Sequence, residues 1–163
     1  MDEVFENILL KIQFSKKELF LDLLKKCLHI SNETTKSTYA THDNVAFKVD
    51  TFFAGFPTFI NEFGKDKQYE SAVEALSVIC EEIGLEVEKS ECFILYHIRD
   101  LGKFKLKEAK LLQELKVLWQ QYKHYTIEDG SFTRSLYNLE KFRFIEYRRG
   151  CITLNRTVII RYK

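Results

Sequence analysis

The sequence predicts a mainly α, α+β fold: a helical N-terminal half, then a smaller helical unit closed by a C-terminal β-hairpin. Three observations carry this. Apolar residues recur three and four apart through most of residues 3–142, the period of amphipathic helices. Aromatic and β-branched residues then concentrate after residue 143, interrupted by Arg149-Gly150, as in two strands joined by a tight turn. Charge divides the chain at the same scale. Residues 1–90 hold 10 Lys and Arg against 16 Asp and Glu, a balance of −6, whereas residues 91–163 hold 15 against 8, a balance of +7. Two domains are therefore expected, an acidic one over 1–90 and a basic one over 91–163. With 45% hydrophobic residues, 14 Phe and 8 Tyr, the chain is expected to build its core on rings.

In the acidic half, residues 3–13 read as a short helix. Ser15-Lys16-Lys17-Glu18 has the capping-box spacing, and Phe14 and Leu19 are placed for the accompanying hydrophobic staple. A helix over 16–29 follows, with Phe20, Leu23, Leu24, Cys27 and Leu28 on its apolar stripe. Residues 31–44 are polar and read as a loop, and the alternation of Val45, Phe47 and Val49 suits one short strand. Thr51–Phe63 carries Phe52, Phe53, Phe56, Phe59 and Phe63 around Gly55 and Pro57. Periodicity leaves it as either core or contact surface. Tyr69–Ile83 is a second strong helix, striped by Val73, Leu76, Cys80 and Ile83, with Gly84 and Leu85 set to close it.

In the basic half, Ser90 is placed to cap a helix whose stripe is Ile94, Leu95, Ile98 and Leu101, ended by Gly102. Lys103–Leu106 alternates as a short strand does. Lys107–Tyr122 is a longer helix with Leu111, Leu112, Leu115, Leu118, Trp119 and Tyr122 inward, and Thr126–Gly130 is a turn. Ser131–Phe142 forms the next helix on Phe132, Leu136 and Leu139. Phe144–Arg148 and Cys151–Leu154 are the hairpin, and Thr157–Tyr162 is a last strand.

Helix, short strand, helix, turn, helix, hairpin is the order of a winged helix-turn-helix. The segment Ser131-Phe-Thr-Arg-Ser-Leu-Tyr-Asn-Leu-Glu-Lys-Phe-Arg-Phe-Ile-Glu-Tyr-Arg-Arg-Gly-Cys-Ile-Thr-Leu154 resembles the recognition helix and wing of MarR-type and related regulators. The resemblance covers about residues 91–155. It departs from the pattern at Phe142-Arg143, where many members have a Gly at the helix end. What it implies is a sequence-specific double-stranded DNA-binding protein, a transcriptional regulator, with helix 131–142 in the major groove and hairpin 144–154 as wing.

The residues support that expectation independently. Turning Phe132, Leu136 and Leu139 inward assigns Ser131, Arg134, Asn138 and Lys141 to the opposite face, with Tyr137 at its flank and Glu140 the one acid at the margin. Arg reads guanine bidentately and Asn reads adenine, and the amides of the first turn, Ser131 to Arg134, suit a phosphate. Arg148 and Arg149 at the hairpin tip suit the backbone or minor groove. Arg134, Asn138, Arg148 and Arg149 are all expected to be exposed. The expected DNA-binding set is Ser131, Arg134, Tyr137, Asn138, Lys141, Arg148 and Arg149.

No enzyme signature is present: no GxxxxGK[ST], GxGxxG, HExxH or GxSxG. His29, His42, His97 and His124 are scattered, and Cys27, Cys80, Cys92 and Cys151 form no CxxC pair, so neither catalysis, a cofactor nor a metal is expected. No apolar run approaches the ~20 residues of a membrane span. The first residues are acidic where a signal peptide is basic, which points to the cytoplasm. The acidic half is expected to dimerise the protein or bind a partner, since winged-helix readers commonly bind two half-sites as homodimers. The alternative is a non-catalytic adaptor, using the winged helix and the Phe-rich residues 45–63 for protein–protein interaction.

Overall fold

The computed structural model describes residues 2–12, 17–33, 42–59, 65–100 and 105–162; over these the chain is mainly helical, with two small antiparallel sheets. Helices α1 (Asp2–Lys11) and α2 (Lys17–Cys27) lead into strands β1 (Leu28–Glu33) and β2 (His42–Lys48), then helices α3 (Val49–Phe59) and α4 (Lys65–Glu82). The basic half contributes α5 (Lys89–Asp100), β3 (Lys105–Lys107), α6 (Glu108–Gln121), a 3-10 turn (Lys123–Tyr125), α7 (Asp129–Lys141), β4 (Ile145–Arg148), β5 (Cys151–Leu154) and β6 (Thr157–Tyr162). One sheet has the order β1-β2-β6 and the other β3-β5-β4.

The acidic half departs from expectation where polar residues join a ladder. The helix expected over 16–29 ends at Cys27, and Leu28 opens β1 opposite Phe47. Residues 31–33 and 42–44, expected in a loop, are paired strand: Ser31 opposes Asn44, Asn32 opposes Asp43 and Glu33 opposes His42. Backbone hydrogen bonding with β2 supplies what side-chain pattern does not. The expected capping box at Ser15 and the staple partner Phe14 lie outside the described residues, and Leu19 is 55% exposed.

The described phenylalanines of α3 are core. Phe52, Phe53 and Phe56 of α3 are fully buried with Phe47 of β2, in ring contacts of 6.1 Å (Phe47–Phe52), 5.5 Å (Phe52–Phe53) and 5.3 Å (Phe52–Phe56). Within α3, these rings are unavailable as a surface for a partner at residues 45–63; the side chain of Phe59 and all of Phe63 lie outside the described residues.

α4 ends as the sequence suggests. Gly84 takes φ 84°, its N–H reaches Glu81 O at 3.2 Å, and Leu85 N–H reaches Cys80 O at 2.8 Å. These two bonds are the Schellman pair, and buried Leu85 supplies the apolar closure. At the start of α5 the cap differs from expectation. Glu88, not Ser90, stands before the first turn, and Glu91 reaches back to accept its N–H at 3.0 Å, the reciprocal half of a capping box.

α7 closes with the same two bonds, Arg143 N–H to Glu140 O at 2.9 Å and Phe144 N–H to Leu139 O at 3.0 Å. Arg143 takes φ 64°, so an arginine occupies the left-handed position where the resemblance expects Gly. The hairpin turns at Arg149 (φ 53°) and Gly150 (φ 72°), the positive pair of a type I′ turn, with Arg148 opposite Cys151 and Ile145 opposite Leu154. Glu108 N–H binds Gly150 O at 2.8 Å and ties the turn to the start of α6. β6 then leaves for the other sheet, placing Val158 opposite Phe47 of β2. The halves share one core through Phe47–Phe144, 6.4 Å and 89° apart, and Phe53–Tyr96, 5.6 Å apart.

Two outcomes follow. Phe144→Ala removes a fully buried ring at this junction and is expected to cost about 3–5 kcal/mol in urea unfolding. Arg143→Gly removes a left-handed penalty of ~1–2 kcal/mol and adds ~0.5–1 kcal/mol of unfolded-chain freedom, for a net gain of about 0.5–1 kcal/mol. A lowered urea midpoint for Arg143→Gly would contradict that balance.

Candidate nucleic-acid interface

The burial of α7 sets which side chains it offers. Phe132, Ser135, Leu136 and Leu139 are buried. At ~100° per residue the outward pole then falls near Gly130, Arg134 and Lys141, with Tyr137 and Thr133 on one side and Asn138 and Ser131 roughly 70–90° round the other. Exposure agrees: Thr133, Arg134, Tyr137 and Lys141 are exposed, whereas Asn138 and Ser131 are half-buried. The outward face assigned from sequence is therefore rotated, and Thr133 belongs to it.

Asn138 is engaged within the chain, contrary to its expected exposure. Its Nδ2 donates to Glu91 Oε1 at 2.8 Å and to Glu86 O at 3.2 Å, fastening α7 to the start of α5. Glu91 is 3% exposed, and burial holds its carboxyl above the usual range, while the bonds from Glu88, Asn138 and Ser135 pull it back down. A hollow of about 640 Å³ opens beside it, bordered by Glu81, Glu86, Glu88 and Glu91 and by Arg134, Ser135 and Asn138. This flank of α7 is acidic.

The N-terminus of α7 also differs from expectation. The helix begins at Asp129, and Ser131 N–H is already bonded to Glu128 O at 2.9 Å. Glu128 stands at the end a phosphate would approach and the Ser131 N–H is taken, so Ser131 to Arg134 is not an open first turn. Glu140 is drawn away from the outward stripe: its Oε2 accepts the Tyr147 N–H at 2.6 Å.

The other flank of α7 meets the hairpin. The Tyr137 ring lies 5.7 Å from Tyr147 at 84°, edge to face. The Tyr147 hydroxyl donates to the Glu108 carboxylate, and that bond raises its pKa to about 12, so it stays protonated as a donor. Alternation along the small sheet turns Lys105, Lys107, Glu146 and Arg148 outward, over buried Leu106, Ile145 and Ile152. Lys105, Glu146, Arg148, Arg149, Cys151 and Thr153 line a hollow of about 430 Å³ on this face. Arg148 and Arg149 are exposed as expected. Lys141 is exposed too, with its Nζ 5.3 Å from the Phe142 ring centroid.

Of the seven residues expected from sequence, the fold thus gathers Arg134, Tyr137, Lys141, Arg148 and Arg149 on α7 and the hairpin, and sets Ser131 and Asn138 aside. Lys105 and Lys107 of the small sheet and Thr133 of α7 are exposed as well and lie outside the expected set. The alternation Lys105-Leu106-Lys107 was the available signal for the first two.

Comparisons with protein families, curated proteins and solved structures find no match.

The geometry alone therefore bears on function. Among the described residues, no three His, Cys, Asp or Glu are placed to hold a metal, and no helix is long and apolar enough to cross a membrane. His97 is buried against Glu114, Nε2 to Oε2 at 3.3 Å, between α5 and α6. Cys27 closes α2 in the core, where burial pushes its thiol to about 12.

Glu91 makes two measurable statements. Asn138→Ala leaves a buried carboxylate short of a donor and is expected to cost about 1–3 kcal/mol of stability. Because the folded carboxyl titrates above its ordinary 4.5, the folded state holds more protons than the unfolded in the interval above 4.5. Its contribution to stability is full below that value and is lost as pH rises through the folded pKa. Glu91→Gln should flatten that part of the stability–pH curve. A parallel curve for the variant would show that Glu91 titrates normally.

Proposed function

We propose that this chain binds double-stranded DNA through about residues 91–155 acting as a winged helix, with α7 toward the major groove and β4–β5 as wing. The observation that carries this reading is the arrangement around α7. The order α5-β3-α6-α7-β4-β5 with sheet order β3-β5-β4 sets a helix with an Arg134–Tyr137–Lys141 stripe against a hairpin tipped by Arg148 and Arg149. The wing cations suit phosphate, which fixes position, and Arg134 is the group suited to a base edge. With Asn138 engaged by Glu91, direct reading rests on fewer residues than the sequence suggests. A role in transcription regulation, without catalysis and without a cofactor, is the form of this reading that fits such a surface. A homodimer through the acidic half belongs to the same proposal. Leu10, 78% exposed, and Leu19, 55% exposed, are large apolar side chains that this half leaves uncovered.

The acidic hollow favours a second reading. Four glutamates line the same hollow as Arg134; together they repel phosphate and suit a cationic protein partner, as an adaptor would require.

A salt titration against random duplex separates the two. DNA binding is expected to weaken linearly with log salt, by about 0.9 per phosphate contact. Arg148→Ala and Arg149→Ala should weaken all sequences equally and flatten the slope by roughly one unit for each lost contact. Arg134→Ala should cost about 1–3 kcal/mol on a selected site and relax discrimination. Absence of any duplex binding at low salt would transfer the reading to the adaptor.

A further inference from the structure

We infer that Tyr137 is a stacking residue for an unpaired base, so that the α7–hairpin surface favours nucleic acid carrying such a base over continuous duplex. This rests on the DNA-binding reading above and specifies what that surface selects. Tyr137 is 56% exposed. Among the described residues, the other large apolar side chains so exposed are Leu10, Leu19, Val117 and Ile159, and each lies on another element. Tyr137 alone stands within the cationic stripe, with Arg134 one turn before it and Lys141 one turn after it, both exposed.

Its position is fixed by its neighbours. Tyr137 meets Tyr147 edge to face at 5.7 Å, and Tyr147 is held at two points, by its hydroxyl on Glu108 and its N–H on Glu140 at 2.6 Å. A ring so supported loses little freedom when a base packs on it.

The rest of the helix narrows what that ring can meet. Asn138, the side chain suited to an adenine edge, is engaged with Glu91 and Glu86. What remains outward, beside Thr133, is a cation, an aromatic and a cation at successive turns, a composition that suits a stacked base more than a run of base edges. In continuous duplex every base face is covered by its neighbours, so Tyr137 has only edges to touch. At a mismatch, gap or bubble a base leaves the stack at small cost and offers its face. Lys141 would then hold a flanking phosphate, with Arg134 left for a base edge beside the stacked base.

The test uses the full chain and fluorescence anisotropy with two probes, a fully paired duplex and the same duplex with a central unpaired bubble of a few nucleotides. The wild-type protein is expected to favour the bubble by about tenfold, the scale of one stacked base. Tyr137→Ala should bring the bubble down to the duplex affinity, and Tyr137→Phe should keep the preference, since stacking needs the ring and not the hydroxyl. Circular dichroism checks that each variant folds. Equal affinity of the wild type for both probes overturns the inference while leaving DNA binding intact, as does a preference that survives Tyr137→Ala. Failure of both probes to bind at low salt removes the DNA-binding reading and this inference with it.

Discussion

The join between α7 and its hairpin is built on Phe144, the fully buried residue between them. Its N–H is bound to Leu139 O at 3.0 Å and its carbonyl accepts Asn155 N–H at 2.9 Å, so the chain is held on both sides of the ring. The ring itself stands edge-on to Phe47 of β2, which lies opposite Val158 of β6. One aromatic pair therefore joins the end of α7, the base of the hairpin and the sheet of the acidic half. Edge-to-face packing at this distance is directional as well as apolar, which suits a junction that sets an angle between elements. The charges of the chain divide near residue 90, and its core runs across that division.

Local signals in the sequence were sufficient at the end of α4 and at the hairpin turn, though not at the start of α5, where Glu88 and not Ser90 takes the cap. Gly84 closes α4 because only its φ of 84° permits the Cys80–Leu85 bond, and Arg149-Gly150 turns the hairpin at the expected place. Those features depend on a few adjacent dihedrals. Sheet membership was not legible at Leu28 or at residues 31–33 and 42–44, because a polar strand is defined by the partner whose backbone it binds. The phenylalanines of α3 could not be assigned inward or outward by spacing, since five rings in thirteen residues leave no polar face to read. Asn138 failed for a third reason. Its partner Glu91 lies 47 residues away, and a helical wheel carries no information about what faces its flank.

The Glu91–Asn138 bond also explains how opposite charges coexist on so small a body. A carboxylate that is 3% exposed is tolerable only with donors around it, and α7 supplies Asn138 and Ser135 to α5 for that purpose. The cost to α7 is one polar side chain withdrawn from its outward set. In return its azimuth is fixed, acidic flank toward the α4–α5 turn and Tyr137 toward the hairpin. The outward stripe is thus narrow by construction. Arg134 lies on the boundary between the two flanks, and any partner of this helix meets it alongside glutamates on one side and Tyr137 on the other.

Two arginines of this region occupy backbone positions that ordinarily favour glycine. Among the described residues, the non-glycine positions with positive φ are Arg143 and Arg149. Both stand where Gly or Asn makes a more stable turn, at a penalty on the order of 1 kcal/mol each. Lys and Arg placed for solubility serve equally well at any exposed strand position, such as the outward row that already holds Lys105, Lys107 and Arg148. Surrounding structure holds both turns regardless. Asn155 Nδ2 binds Arg143 O at 2.8 Å, and Glu108 N–H binds Gly150 O at 2.8 Å beside Arg149. Both arginines thus stand at backbone positions that glycine would occupy at less cost, held there by the bonds on either side.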